Sequence, residues 1–424
     1  MKNGQRVSRE RFRDPVSRRD FLKGAAALGV GAGLAGLPLR GARAAAAKDV
    51  NVGVLYPTSG SDARFGQMCL NAIKLAVDDI NNAGGIKSMG GAKINIAFAD
   101  IQSDAAVTRN QAERLMATEN LAVATGCYVS TYTLVATEVA ERYKIPFVTG
   151  SVADKITDRG FKFTFQVSPK ASHFGMRQME FAGGIAGKGK RAAIVFEDTD
   201  YGTATSKGFI SGAKEVGFEV VLTEPYTAKF TDATPLVNKI KAAKPDFLFP
   251  VSYITDALLI IRTMKQLGVN AAVFGGGAGY LIPDFYKEMG KDSEYIFSVA
   301  SWNNDINCGE VPAIAAAYEK RYGEFLMEHA GEAYVMTWVI ADALERAAST
   351  DPGKVRDAMA KTNLTKGGGS VMPGCHIEFD EKGLNQHVHP VIVQWQQGKL
   401  RTVSPSSDAR VKPVWPVPAW DKRM

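Results

Sequence analysis

Short apolar runs alternate with amphipathic stretches along most of this chain. In a first series, strands are predicted at residues 50–55, 93–99, 121–125 and 146–149, with helices at 65–82, 105–118 and 132–143 between them. The strand runs are short and continuous, whereas the helical stretches repeat apolar side chains every three or four residues. Strands that alternate with helices in this way form βαβ units, so the pattern predicts a parallel sheet.

A second series of the same kind begins near residue 163. Its strands are predicted at 163–166, 192–196, 219–223, 246–250, 272–274 and 295–299, with helices at 174–185, 202–216, 234–243, 256–267 and 283–289. Helices at 312–327, 333–348 and 352–361 and strands at 377–379, 390–395 and 400–403 complete the pattern. Because ligands bind beyond the carboxyl ends of strands in open α/β sheets, we expect two α/β lobes that face a common cleft.

The first 46 residues have the three-part layout of an export signal. A basic stretch ends in the run S-R-R-D-F-L-K, which contains Arg18 and Arg19, and a Gly/Ala-rich apolar run and a small-x-small cleavage site follow it. The basic run matches the twin-arginine pattern and predicts export to the periplasm through the Tat translocase. The apolar run is too short to span a bilayer of ~30 Å, so we expect a mature protein that is soluble after cleavage.

Composition and charge exclude several classes of protein. The chain has 424 residues, of which 46% are hydrophobic, so it is neither disordered nor fibrous. The net charge of +7 comes from the leader: residues 1–44 hold ten Lys or Arg against three acids, which leaves 41 bases and 41 acids in the remainder. A neutral body gives no reason to expect a nucleic-acid or anionic-membrane partner.

Catalytic and metal-binding signatures are missing from the sequence. It contains no G-x-S-x-G elbow, Walker loop or H-E-x-x-H motif. His387 and His389 could place two imidazoles on one face of a strand, but with no cysteine or third histidine beside them a satisfied polar pair is the preferred interpretation. We therefore expect a protein that is not an enzyme and that uses no cofactor or metal.

Four cysteines allow three disulfide pairings, and export to an oxidising compartment permits them. Cys308 and Cys375 each lie in an irregular stretch that contains Gly or Pro, where a crosslink is easiest to accommodate. We predict that these two pair and that Cys69 and Cys127 stay reduced.

Several sequence blocks resemble one known family. The blocks VGVLYPTSG (52–60), AVDDINNAGGI (76–86), GCYVST (126–131) and EDTDYG (197–202) occur in the order and spacing of the type I solute-binding proteins. These are the leucine/isoleucine/valine-binding-like receptors of ABC importers, and the resemblance covers nearly all of residues 49–405. It implies the α/β fold of a type I periplasmic binding protein, in which two Rossmann-like lobes with parallel sheets are joined by three hinge crossings.

The resemblance also implies a division of the chain. Lobe 1 would comprise residues 48–168 plus 298–382, and lobe 2 residues 169–297 plus 383–410. Residues 1–46 are then the Tat-type signal peptide, and 411–424 form a Pro/Trp-rich C-terminal tail against the surface. We expect a monomer.

The family's ligand contacts map onto turns that follow the predicted strands. The resemblance implies contacts from Phe65, Tyr128, Ser130, Ser151, Val152 and Ala153 in lobe 1, and from Tyr201, Tyr253, Gly277 and Ala278 in lobe 2. Ser130 would hold a ligand oxygen together with the N-terminus of the following helix. Structural alternatives stay open, because Ser130 could be only a helix cap, Phe65 could belong to the core, and the two tyrosines could be helix-start residues at the sheet edge.

Two departures from the amino-acid receptors concern the ligand. Those receptors carry a hydroxyl where Ala153 stands, and they place a glutamate for the ligand's ammonium in the turn that is 275–279 here. An ammonium buried without a counter-charge is costly. In addition to an amino-acid-like solute, we therefore expect three further kinds of candidate ligand: a carboxylate without an amine, an amide or urea-like solute, or an aromatic acid.

The resemblance implies the extracytoplasmic substrate-binding subunit of an ABC importer. Such a subunit captures a small polar or carboxylate solute by hinge closure and delivers it to the ABC permease subunits at the membrane. A ligand sensor on the same fold, signalling to a membrane receptor, is the alternative. An exported α/β enzyme is the third class, and the sequence shows no nucleophile–base pair for it.

Overall fold

A computed structural model describes residues 49–187 and 190–423, so the predicted leader with Arg18 and Arg19 lies outside the described residues. The strands are β1 (Val50–Tyr56), β2 (Ile94–Asp100), β3 (Val123–Gly126), β4 (Phe147–Thr149), β5 (Thr164–Gln166), β6 (Arg191–Glu197), β7 (Glu219–Tyr226), β8 (Phe247–Val251), β9 (Ala272–Gly275), β10 (Phe297–Ala300), β11 (Asn363–Leu364), β12 (Ile377–Glu378), β13 (Val391–Gln396) and β14 (Lys399–Ser404). The helices are α1 (Ala63–Asn82), α2 (Ala105–Thr118), α3 (Ser130–Tyr143), α4 (Lys155–Asp158), α5 (Ala171–Ala186), α6 (Asp200–Val216), α7 (Thr234–Ala243), α8 (Ile254–Gln266), α9 (Pro283–Met289), α10 (Val311–Tyr322), α11 (Glu328–Ala347) and α12 (Pro352–Met359). The predicted α/β fold is confirmed.

The first sheet has the strand order β2-β1-β3-β4-β5 and is parallel throughout. Six of the seven residues of its interior strand β1 are buried, as expected for a parallel strand that helices cover on both faces. Helix α11 joins this lobe through α1, where the Tyr334 hydroxyl donates to Asp79 at 2.9 Å. This sheet and its helices form lobe 1.

The second sheet has the order β14-β13-β10-β9-β8-β6-β7 and forms lobe 2. Its strands are parallel from β7 to β10, but β13 and β14 are antiparallel to their neighbours, which the parallel prediction did not include. The antiparallel pairing of β13 with β14 follows from the two-residue turn Gln397 and Gly398, whose φ angles of 54° and 73° are those of a hairpin turn. A two-residue loop can join only antiparallel strands.

Three connections run between the lobes. The first follows β5, the second follows β10, and the third leads into β13. Because β10 lies in the second sheet, the boundary expected between residues 297 and 298 moves to the end of that strand, after Ala300. The first and third connections lie side by side, since Asn385 donates from its backbone to the Gln166 carbonyl at 2.9 Å and from its side chain to the Val167 carbonyl at 3.2 Å.

The C-terminal tail packs on lobe 2. The Trp415 ring stacks on Phe247 with centroids 5.4 Å apart, and the Trp420 indole donates to the Val269 carbonyl at 2.7 Å. Aromatic burial of this kind explains why a proline-rich segment follows the surface of the lobe.

The structure joins Cys308 to Cys375, with Cα atoms 5.5 Å apart. Within the described chain, Cys69 and Cys127 are buried and unpaired. The pair closes a loop of lobe 1 that contains α10, α11 and α12.

Candidate functional site

The carboxyl ends of both sheets meet at one cleft. Segments after β3 and β4 enter it from lobe 1, and turns after β6, β8 and β9 enter it from lobe 2. A small space of about 10 Å³ at this cleft is lined by Tyr128, Ser130, Val152, Phe174, Tyr201, Tyr253, Ala278, Glu328 and His329. Six of the ten residues predicted for ligand contact therefore line this space, and the other four lie directly around it.

Ser130 is the first residue of α3 and points its hydroxyl toward the cleft wall. Its Oγ accepts a hydrogen bond from the Ala153 N–H at 3.1 Å, which leaves the hydroxyl proton for another acceptor. Val129, which precedes the helix, offers no side-chain cap, so the first backbone N–H groups of α3 are open to a ligand. A helix N-terminus beside a hydroxyl donor suits a carboxylate or carbonyl oxygen. The side chain of Ser130 does not cap α3, because its Oγ binds the Ala153 N–H of the segment after β4 instead of an N–H of the helix.

Ser151 lies behind the cleft wall rather than in it. Its hydroxyl donates to the Tyr128 carbonyl at 2.9 Å and lies 2.6 Å from the Thr133 hydroxyl, which accepts from the Cys127 N–H at 3.1 Å. This buried chain of hydrogen bonds ties the segment after β4 to the segment after β3. Ser151 therefore positions the cleft wall, whereas Ala153 contributes only its backbone N–H.

Tyr128 combines three features that point to ligand binding. Its φ of 79° lies in the left-handed region, which is costly for a residue other than glycine. Its hydroxyl is buried and has no hydrogen-bond partner among the described residues. Burial raises the pKa of Tyr128 well above its ordinary value, so the hydroxyl stays a donor. A buried donor without a partner calls for an explanation, and an acceptor that enters the cleft would supply one.

Phe65 lies under Tyr128 and not in the cleft lining. The two rings stack with centroids 4.4 Å apart and an interplanar angle of 16°. Phe65 is 1% exposed and belongs to the core beneath α1. Its position is therefore that of a core residue, the structural alternative that the sequence left open. It supports the tyrosine that lines the cleft.

The lobe 2 wall is aromatic. The Tyr201 ring lies 5.8 Å from that of Tyr253, which in turn lies 5.8 Å from Tyr128 of lobe 1. The Tyr201 hydroxyl donates to the Gly276 carbonyl and so holds the glycine turn that follows β9. At Gly277, with φ of 95°, a Cβ would lie 3.1 Å from the Tyr201 hydroxyl, so glycine allows this close packing. Gly277 shapes the turn, and Ala278 lines the space.

Sequence reasoning missed three lining residues: Phe174 from α5, and Glu328 and His329 from the start of α11. The predicted helix began at 333, which left residues 328–332 in a connecting turn. The structure begins α11 at Glu328, so that Glu328 and Glu332 lie one turn apart on a buried face. Two glutamates four positions apart, with a histidine between them in an otherwise apolar helix, are the signal that could have found them.

The start of α11 carries a buried charge cluster. His329 Nδ1 lies 2.5 Å from Glu332 Oε2, and His329 Nε2 lies 3.6 Å from Glu328 Oε2. Burial alone would lower the pKa of His329, but the carboxylates of Glu332 and Glu328 raise it to about 9. Burial raises the pKa of Glu328 to about 7.

Ser301, on the second connection between the lobes, bridges the two glutamates. Its single hydroxyl contacts a carboxyl oxygen of Glu328 at 2.8 Å and one of Glu332. One hydroxyl proton can serve only one of these contacts, so the other needs a proton on a carboxyl group. The raised pKa of Glu328 agrees with this count. With a pKa of about 7, the carboxyl of Glu328 is about half protonated near pH 7, beside the imidazolium of His329.

Comparison with known proteins decides the family. Residues 49–398 match the family model described as periplasmic binding protein. The chain belongs to the periplasmic binding protein family. Leu/Ile/Val-binding protein homolog 7 of Brucella suis is 32% identical over 401 residues, which are 90% of this chain and 96% of the relative. Homolog 8 of Brucella abortus is 30% identical over 382 residues, which are 87% of this chain and 93% of the relative.

Solved structures share the fold of this binding protein. A leucine-binding protein of Thermotoga maritima is 23% identical with a TM-score of 0.74, covering 84% of this chain and 98% of its own. A solute-binding protein of an R. palustris ABC transporter, in complex with benzoate, is 18% identical with a TM-score of 0.74, covering 86% and 98%. At these identities the likeness concerns the fold.

The leader is confirmed as an export signal. Residues 15–35 match the twin-arginine translocation pathway signal sequence, so this binding protein is exported to the periplasm. Among the described residues, the structure contains no helix with the length and apolar character to cross a membrane.

Proposed function

We propose that this binding protein captures a small solute with a carboxylate and an apolar body between its lobes and delivers it to an ABC permease. The observation that carries the proposal is the convergence of two kinds of donor on an aromatic cleft. The free hydroxyl proton of Ser130 and the uncapped N-terminus of α3 suit an anionic oxygen, and the Tyr128 hydroxyl supplies a further buried donor. The rings of Tyr201 and Tyr253 enclose the apolar part and exclude water.

The charge of the cleft favours a carboxylate that needs no free ammonium. The turn after β9 carries glycines where amino-acid receptors place a glutamate, and the carboxyl of Glu328, whose pKa is raised to about 7, already faces the imidazolium of His329. An ammonium would therefore enter a buried site with little opposing charge, which is unfavourable. Aromatic or aliphatic monocarboxylates are the first candidates, and branched-chain amino acids, the solutes that the relatives' names refer to, are the next.

Closure of the cleft depends on contacts that join the lobes. Lys155 of lobe 1 pairs with Asp200 of lobe 2 at 2.9 Å, and Arg64 of lobe 1 pairs with Asp284 of lobe 2 at 3.0 Å. Both pairs are partly exposed, so each contributes little by itself. A solute shifts the open–closed equilibrium through contacts made only in the closed form, and contacts from both lobes meet this requirement.

The direct test is a thermal-shift screen of the mature protein with monocarboxylates, aromatic acids, amino acids and amides. A solute at 100 times its Kd should stabilise the protein by ~2.7 kcal/mol. Calorimetry on the best solute should then show that Ser130→Ala weakens binding roughly 5- to 150-fold, because one hydrogen bond to a charged group is lost.

Ser88→Ala is the matched control, since Ser88 is an exposed serine outside the cleft. Wild-type affinity in Ser130→Ala would place the solute elsewhere. A screen in which only amines or sugars bind would refute the proposed solute class.

Delivery to a permease needs a separate experiment. Uptake of the labelled solute should fall when the gene is deleted and recover with the wild-type protein but not with Ser130→Ala. Normal uptake in the deletion strain, together with tight binding in vitro, would instead favour the ligand sensor.

A further inference from the structure

A second cluster of candidate ligands lies away from the cleft, on the surface of lobe 1. Glu378 belongs to β12 of the ribbon formed by β11 and β12, His376 directly precedes that strand, and His387 lies on the third connection between the lobes. One donor atom from each of these three side chains lies within 4.8 Å of the other two. The sequence alone paired His387 with His389 instead, but His389 Nε2 contacts Asp408 Oδ2 at 2.9 Å and takes no part in the cluster.

The two imidazoles face the same carboxylate oxygen. His387 Nε2 lies 2.8 Å and His376 Nε2 lies 3.8 Å from Glu378 Oε2, and the two rings stack with centroids 3.8 Å apart. Ligand atoms around a tetrahedral Zn²⁺ with bonds of 2.0–2.1 Å lie about 3.3 Å apart. The observed distances fall on both sides of this value, so small side-chain movements would bring three ligands onto one ion.

We propose that His376, Glu378 and His387 form a Zn²⁺ site that joins the β11–β12 ribbon to the third connection between the lobes. Two histidines, one glutamate and a water are a known ligand set for zinc. Because the stacked rings are nearly parallel, one ring must rotate to direct both nitrogens at the ion, and the exposed position of His387 allows this rotation. Asn363, whose Oδ1 lies 2.9 Å from His376 Nε2, is placed to hold an ordered water or to act as a fourth ligand.

The surroundings hold the cluster in place. The Asn385 side chain accepts a hydrogen bond from the Glu378 N–H at 3.2 Å and one from the His387 N–H at 3.3 Å. The same side chain donates to the Val167 carbonyl on the first connection. One buried asparagine thus fixes the backbones of two of the three ligands, which is the outer support that metal sites require. A bound ion would add a crosslink beside two of the three connections.

The test is a calorimetric titration of the mature, tag-free protein with Zn²⁺, with Ca²⁺ and Mg²⁺ as controls that prefer oxygen ligands. We expect one site for Zn²⁺. The variants His376→Gln and Glu378→Gln should each weaken binding at least tenfold, and the double variant His376→Gln with His387→Gln should abolish it.

His389→Gln is the matched control and should bind Zn²⁺ as the wild type does. Melting without metal will show that each variant is folded, which the position of the cluster at the surface leads us to expect. A wild-type protein that binds no Zn²⁺, or a double variant that keeps the wild-type affinity, would overturn the site. Neither result depends on the solute or on the proposed function.

Discussion

His329 and Glu332 form a buried ion pair across one turn of α11, with Nδ1 2.5 Å from Oε2. The imidazole lines the cleft and lies edge-on to Tyr128, with ring centroids 4.8 Å apart. His329 therefore connects the buried carboxyl groups of α11 to a tyrosine that lines the cleft. Two consequences of this geometry can be measured separately.

The first prediction concerns the pH dependence of stability. The folded protein holds the His329 proton more tightly than the unfolded chain, since its pKa is about 9 against an ordinary value of 6.5. The pair therefore stabilises the fold fully below pH 6.5 and loses this contribution as the pH rises to 9. We expect His329→Gln to destabilise the protein by about 3 kcal/mol at pH 6 and by much less at pH 9.5, as measured by urea unfolding.

His173→Gln is the control for this measurement. Burial lowers the pKa of His173, so the folded protein binds this proton less tightly than the unfolded chain does. Protonation of His173 below pH 6.5 therefore destabilises the fold, which is opposite to the effect at His329. A difference between wild type and His329→Gln that stays constant from pH 6 to pH 9.5 would contradict the buried ion pair.

The second prediction separates affinity from stability at Tyr128. Its hydroxyl is buried without a partner, so Tyr128→Phe removes an unsatisfied group from the protein without solute. We expect the unliganded melting temperature to stay constant or rise, and solute affinity to fall roughly 5- to 150-fold by calorimetry. Loss of stability without loss of affinity would mean that the hydroxyl serves the fold.

Most of the fold followed from the alternation of strands and helices, because near-continuous apolar runs bounded by amphipathic stretches leave few other interpretations. The turns after β3, β4, β6 and β8 could be located for the same reason. The direction of β14 relative to β13 could not, because it depends on a two-residue turn at Gln397 and Gly398 whose backbone angles the periodicity does not reveal.

The residues of the site that the sequence pattern did not predict were missed for a different reason. Residues 312–327 and 333–348 were predicted as helices, whereas α10 ends at Tyr322 and α11 begins at Glu328. This shift of five residues hid Glu328 and His329. Buried glutamates contradict the usual hydrophobic pattern of a core helix, and only tertiary contacts such as the hydroxyl of Ser301 explain why they are tolerated.

The third prediction is that Cys308 and Cys375 pair in the exported protein. Mass mapping of non-reduced peptides should find the crosslinked pair and leave Cys69 and Cys127 as thiols, whose pKa values burial raises. The variant Cys308→Ser with Cys375→Ser should lose about 2–4 kcal/mol of stability, because an open loop gives the unfolded chain more freedom. Alkylation of Cys308 and Cys375 in the native, non-reduced protein would contradict the pairing.

The fourth prediction tests the export signal. The double variant Arg18→Lys with Arg19→Lys keeps the charge of the leader and removes only the guanidinium groups that the receptor reads. We expect the precursor to stay in the cytoplasm, as measured by fractionation and immunoblotting. Arg40→Lys, in the same leader but outside the motif, is the control. Normal periplasmic accumulation of the double variant would show that another route exports the protein.

The last prediction concerns the rate of solute release. Tyr253 of lobe 2 reaches Tyr128 of lobe 1 only across the cleft, so its ring belongs to the contacts that exist in the closed form. Interface changes of this kind act mainly on dissociation, since the encounter of the solute with the open cleft does not involve them. We expect Tyr253→Ala to raise the dissociation rate about tenfold or more in stopped-flow measurements and to leave the association rate within about threefold. Tyr143→Ala, which removes a tyrosine that is 39% exposed, is the control and should leave both rates unchanged. A slower association with an unchanged dissociation rate would mean that Tyr253 shapes the open cleft, and that closure relies on the remaining contacts between the lobes.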